Sequence, residues 1–305
     1  MHNIQAVIMG DWSVNTQDPA CLIFLVEQSD MVTKTAGISG YSLSFEMKRI
    51  VDLAISRLVE GNSEGDGYVS PRVKIGVFGY SDTHFSWRLN LNRDECGLKM
   101  LSNEFNTVKG EYPDEKLERY ISSYFMEKNH GKEDMASGIS NLIEIVEGFV
   151  VKHPESVPPI VYHLTQGNIQ HAQKKNVLAA MKELKSIATS TGNTMLFNIR
   201  INSDVEEPLI FPHQFSDLND LSDITLMEGS SYLSLDLQES FNWRNFGYGK
   251  FFAYNPERKC FLLLSGATKI SETLILPFLP LSGHLMSQSE FQISEKGFML
   301  DLDFE

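Results

Sequence analysis

One run constrains this chain more than any other: Ala20–Val26, ACLIFLV, apolar without a break and followed at once by Glu27, Gln28, Ser29 and Asp30. A short, uninterrupted apolar run suits a strand buried on both faces, as in a parallel sheet covered by helices. Its periodicity alone fits a buried helix equally well. The length and the β-favouring Ile23, Phe24 and Val26 decide for a strand. The oxygen side chains then sit at the strand's carboxyl end, where ligands bind in open α/β sheets.

The rest of the chain alternates in kind. Ser42 or Ser44 can cap a helix running to about Glu60, with Met47, Ile50, Val51, Ala54 and Leu58 at helical spacing. Arg72–Tyr80, RVKIGVFGY, reads as a second strand whose two glycines suggest close approach or a bulge. Met135–Val150 is an amphipathic helix, Ile160–Leu164 a strand, Gln173–Ser190 a helix with Gly192 suited to its C-terminal cap, and Asn193–Ile201 a strand. Strands alternating with amphipathic helices predict an α/β fold with helices on both faces of a mostly parallel sheet. Residues 81–130 are the least legible: Trp87–Leu91 reads as a short strand and Pro113–Met126 as a short helix, from Leu117, Tyr120, Ile121 and Phe125. Gln5–Met9 reads as a candidate edge strand, Leu209–Pro212 as a short apolar segment, Asp217–Glu228 as a helix and Phe261–Leu264 as a strand added to an edge.

Composition excludes several function classes. No apolar run approaches the roughly 20 residues of a membrane span, and the N-terminus lacks the pattern of a secretory signal. Three scattered cysteines argue against a disulfide framework or a zinc site and fit buried thiols in a reducing cytosol. A net charge of −14 repels phosphate, which disfavours nucleic acid as a partner. The hydrolase elbow, the zinc-protease His pair and the phosphate-binding loop are all absent from the sequence. His153, His163 and His171 cluster without a carboxylate at ligand spacing and read as ordinary polar or core histidines.

Five segments occur in order: ACLIFLVEQSDM, RVKIGVFGY, KHPESVPPIVYHLTQGN, STGNTMLFNIRIN and EEPLIFP. Together they resemble the bacterial von Willebrand factor type A (VWA) domain proteins over residues 20–265. The resemblance implies a doubly wound, Rossmann-like sheet, with residues 1–19 as an N-terminal segment and residues 266–305 as a C-terminal extension packed on the domain or binding a partner. It also implies a metal-ion-dependent adhesion site, where Asp-x-Ser-x-Ser, a Thr and an Asp hold Mg²⁺ and a partner's carboxylate completes the shell. In this chain the leading Asp corresponds to Glu27, the first Ser is kept as Ser29, the second Ser becomes Met31, the Thr becomes Glu133 and the later Asp becomes Gln166.

These changes bear on the metal. Mg²⁺ takes oxygen ligands in a near-ideal octahedron at about 2.0–2.1 Å. Met31 offers a soft thioether, Gln166 removes a charge, and Glu27 adds a methylene. Lys132 could fill the place of the cation with its own ammonium. The expectation is a degenerate, empty site and no cofactor, with Mg²⁺ retained only if Glu27, Ser29 and Glu133 form a rewired site. The expected function is a non-enzymatic, cytoplasmic interaction module that binds protein rather than nucleic acid or membrane. The resemblance points to kinases, phosphatases or AAA-type ATPases as partners. Asp30, Asp134, Trp243 and Phe246 are the candidate partner-binding residues, the last two from an aromatic cluster with an arginine. An unrecognised hydrolase remains the other class.

Overall fold

The computed structural model describes residues 17–37, 40–61, 73–87, 112–114, 119–121, 124–125, 127–235, 237–238 and 253–266. Its centre is a seven-stranded sheet in the order β10-β11-β9-β6-β1-β2-β3. The strands are β1 (Ala20–Glu27), β2 (Val73–Tyr80), β3 (Phe85–Trp87), β6 (Ile160–Thr165), β9 (Met195–Ile201), β10 (Leu209–Ile210) and β11 (Phe261–Leu264). β1 pairs in parallel with β2 on one side and β6 on the other, β9 continues the parallel set to β11, and the edge strands β3 and β10 are antiparallel. The chain thus leaves β1 in one direction for β2 and in the other for β6. The switch point of the winding falls at the carboxyl ends of β1 and β6, where such sheets open a crevice.

β1 is buried along its whole length, Val26 at 1% exposure, because its alternate residues serve two cores. Leu22, Phe24 and Val26 meet α2 (Leu43–Gly61) through Met47, Ile50, Val51 and Ala54. Cys21, Ile23 and Leu25 face the other layer. That layer holds α3 (Met135–Lys152), α4 (His171–Ser186) and α5 (Leu221–Gly229), after the short α1 (Asp30–Lys34). The side chain of Leu58 lies outside the described residues. Ser42 is the cap of α2, accepting the Phe45 N–H at 3.2 Å, while Ser44 instead donates to Glu127 at 2.5 Å. The register of β1 with β2 runs unbroken, so no bulge forms, and Gly76 serves close approach: a Cβ there would stand 2.8 Å from the Phe78 ring.

Three sequence expectations are corrected. Pro113–Met126 is not a helix: it holds β4 (Tyr112–Asp114) and β5 (Arg119–Ile121), an antiparallel pair. Gly192 does not cap α4, which ends six residues after Ala180 at Ser186 with Ile187 as its cap; it lies in a hairpin of β7 (Ala188–Thr189) and β8 (Gly192–Asn193). β11 is not an edge strand, because β10 pairs outside it. Gln5–Met9, most of Trp87–Leu91, Trp243, Phe246 and the extension from residue 267 fall outside the described residues.

Candidate functional site

The polar cluster stands on the switch point. Glu27 ends β1 and is buried at 1% exposure. Its Oε1 accepts the Ser29 hydroxyl at 2.5 Å. Its Oε2 accepts the Thr165 hydroxyl at 2.8 Å and the Gln166 N–H at 2.9 Å. Glu133 approaches from the loop before α3: its Oε2 accepts the Asn168 N–H at 2.8 Å, and its Oε1 lies 3.2 Å from Thr165 Oγ1. Thr165 has one hydroxyl hydrogen for two carboxylate oxygens. The shorter contact gives that hydrogen to Glu27, so an ionised Glu133 Oε1 is short of a donor among the described residues.

Backbone bonds lock the loops that carry these groups. Gln28 N–H donates to Tyr80 O, His130 N–H to Gln28 O, Asp30 N–H to Gly131 O and Asp82 N–H to Lys132 O, all within 2.9 Å. Gly131 makes the turn at φ +86°, the left-handed region where glycine carries no Cβ penalty. Asp134 caps α3, with Oδ1 accepting the Ser137 N–H at 3.1 Å and Oδ2 the Ser137 hydroxyl at 2.7 Å. One turn on, Gly138 lets α3 lie against the Tyr80 ring, since a Cβ there would stand 2.6 Å from it.

Burial pushes the Glu133 carboxyl up to about 8, and the neighbouring Glu27 adds to the rise. The Asn168 N–H, the Thr165 hydroxyl and the Arg200 guanidinium oppose it. Burial, then Glu133 and Glu27, also hold the Tyr80 phenol well above its ordinary value. Arg200 does not sit between the two carboxylates. Its Nε donates to Gln166 O at 2.8 Å, and its Nη1 forms ion pairs with Asp223 at 2.7 Å and Asp220 at 3.2 Å.

Beneath the crest a neutral chain of hydrogen bonds crosses the sheet. The Asn198 amide donates to Leu226 O and Ser230 Oγ, so its Oδ1 accepts from His163 Nδ1 at 2.7 Å. His163 Nε2 is then the acceptor for the Tyr80 hydroxyl at 2.8 Å. Burial lowers the imidazole to about 4, against the Asn198 bond, which raises it.

Glu27, Ser29, Glu133 and Gln166 therefore converge. Met31 is close in sequence but turns outward, 48% exposed in the first turn of α1 beside the half-buried Asp30. Gln166 directs its amide away from Glu27, to Thr35 Oγ1 at 3.3 Å, and its Oε1 is buried without a partner among the described residues. Lys132 is exposed and does not enter the site. Sequence reasoning gave no role to Thr165, Tyr80 or Arg200. Arg200, a charged residue inside a central strand, was a usable signal, because such a residue is buried only when paired.

A doubly wound sheet whose first strand ends in Glu27, with Ser29 two residues on at the switch point, is the arrangement the sequence resemblance implied. The fold is VWA-like. Similar solved structures include the SpRpn10 VWA domain (14% identity, covering 62% of this chain and 77% of that one, TM-score 0.37). They also include the manganese-loaded Plasmodium vivax TRAP protein (15% identity, 62% and 60%, TM-score 0.34). Human COPII-coat protein Sec24c is more remote (9% identity, 61% and 26%, TM-score 0.26). This chain spans less than two thirds of the TRAP and Sec24c chains. No protein-family model matches it, and no curated protein matches it.

Proposed function

We propose that this VWA-like domain is a non-enzymatic module that binds a protein partner on the crest of its sheet without a metal ion. The observation that carries the reading is the occupancy of Glu27. Both of its oxygens are engaged by protein donors, three in all: the Ser29 hydroxyl, the Thr165 hydroxyl and the Gln166 N–H. Ser29 and Glu27 satisfy each other instead of facing a cation. Met31, in the place of a second oxygen ligand, is a soft thioether turned to solvent, which suits an interface anchor better than an Mg²⁺ ligand. A Glu27 already engaged by protein donors and a thioether at position 31 argue against the octahedral oxygen shell that Mg²⁺ requires.

Against a hydrolase stands the shape of the crest. The furrow there is open and lined largely by exposed small and polar side chains, not a deep cleft in which titratable groups converge. Buried free thiols at Cys21 and Cys260 suit a reducing compartment. No helix among the described residues is long and apolar enough to cross a membrane. The resemblance directs the partner search to kinases, phosphatases and AAA-type ATPases of the cytoplasm.

One observation favours a second reading, a rewired cation site: the buried Gln166 Oε1 has no donor among the described residues. Titration calorimetry with Mg²⁺, Mn²⁺ and Ca²⁺ separates the two. No saturable heat is expected at millimolar cation, and partner binding should survive EDTA. A saturable signal that disappears in Glu27→Gln overturns the metal-free reading. Met31→Ala should weaken partner binding with little change in stability, since the side chain is half exposed.

A further inference from the structure

Two cavities lie between α3 and α4, one at the crest and a larger one of about 430 Å³ beside it. They share Ala136 and Asn176 in their walls and so form one furrow. It follows α4 from Ala172 to Glu183, roughly 16 Å at the helical rise, the reach of roughly five residues of extended chain. Small side chains, Ala136, Ser140 and Ala179 among them, keep it open.

Its chemistry is one-sided. The ionisable residues in its walls are the acids Glu133, Asp134 and Glu183, and among the described residues neither lysine nor arginine lines it. Asp134 is occupied as a helix cap, whereas Glu133 Oε1, at the crest end, has among the described residues only the Thr165 hydroxyl near it, 3.2 Å away and shared with Glu27. Along the walls, the exposed amides of Asn141 and Asn176 both donate and accept, as a peptide backbone requires. The occupant this furrow fits is therefore extended, narrow, rich in amide groups and positively charged near one end.

We infer that the furrow between α3 and α4 takes an extended segment of the partner protein that carries an arginine or lysine, its cation ending at Glu133. The inference rests on the proposed protein-binding function and adds the partner's chemistry to it. It reverses the polarity expected of an adhesion site that holds Mg²⁺ for a partner's carboxylate: here the protein keeps the acids and the partner brings the cation. Arginine has the advantage at such a site, because its planar fork presents several donors to carboxylate oxygens at once.

Selection of a random dodecapeptide display library on the full chain tests this, with one arm in EDTA and one in Mg²⁺. Enriched peptides in the EDTA arm should carry arginine or lysine. A synthetic copy of the best should lose about tenfold or more in affinity when that residue becomes citrulline or glutamine, or when the protein carries Glu133→Gln. Ala179→Arg, which blocks the furrow far from the crest, should abolish binding while thermal melts show both variants folded. Enriched peptides without a basic residue, retained binding to Ala179→Arg, or no enrichment in either arm each overturn the inference. Neutral peptides that bind in EDTA and are lost in Met31→Ala would sink it yet leave the metal-free crest standing. Peptides that bind only in Mg²⁺ sink both.

Discussion

Two regions of this molecule bury carboxylates, and they solve the problem differently. On α2, Asp52 is fully buried, with Oδ1 accepting the N–H groups of Tyr124 and Phe125 at 2.8 and 2.9 Å and Oδ2 paired with Lys48 at 2.9 Å. Lys48 also donates to Phe125 O at 2.8 Å, so acid, base and loop close on one another. Burial still raises Asp52 to about 6, with Lys48 the chief opposing influence. At the crest, Glu27 and Glu133 share one threonine hydroxyl, and the nearby Arg200 is held by Asp220 and Asp223. The first cluster contains its own cation and fastens the segment at 124–125 to the domain. The second holds two acids that share one hydroxyl, with no ion pair to either among the described residues. A closed cluster builds structure; one without its own cation is where a ligand brings it.

That contrast breaks most easily at the closed cluster. Lys48→Met leaves Asp52 buried without its cation and is expected to cost about 3–5 kcal/mol in urea unfolding at neutral pH. The loss should shrink at pH 5, where Asp52 is protonated. A cost under about 1 kcal/mol would mean that the pair is not what holds the segment in place. The neutral chain below the crest gives the next largest effect. Folding lowers His163 from 6.5 to about 4. A depressed histidine contributes stability above its unfolded value and loses it as pH falls toward the folded one. Acidification from pH 6.5 to 4 should therefore remove about 3 kcal/mol through this residue. His163→Gln, measured by the same urea series, should flatten that limb.

How far the sequence disclosed all this depends on the range of the forces involved. β1, α2, α3, β6 and β9 were legible because each needs only its own apolar period and a sheet to lie on. Pro113–Met126 misled because Leu117, Tyr120, Ile121 and Phe125 share a helical spacing, yet Tyr124 and Phe125 are drawn under α2 by a side chain some seventy residues earlier. No local pattern encodes that capture. Lys48 and Asp52 stand four apart on a helix and look like a solvated surface pair until burial is known. Gly192 misled because a glycine after a helical run suits a cap, whereas here it serves a hairpin at φ +153°. The crest residues Glu27, Ser29, Glu133 and Gln166 were found through family likeness, which aligns positions. The likeness could not show that Thr165 bridges the two acids, since that needs the separation of β1 from β6.

Glu133→Gln sharpens the comparison with the smallest expected change in stability. Folding raises this carboxyl from 4.5 to about 8, by burial first and Glu27 second. A raised acid contributes stability that is complete below its unfolded value and lost as pH rises through the folded one. The wild-type protein should therefore weaken between pH 5 and 9, and the glutamine variant, which has no charge to bury, should not. At pH 9 the variant is expected to be more stable by about 1 kcal/mol, a figure discounted for the solvent that the half-buried carboxyl meets. Near pH 5 the two should melt together. Asp52→Asn, by contrast, should be destabilising at every neutral or alkaline pH, because Lys48 loses its counter-ion. If Glu133→Gln also destabilises at pH 9, Glu133 has a cation of its own within the fold, and the crest is as closed as the cluster on α2.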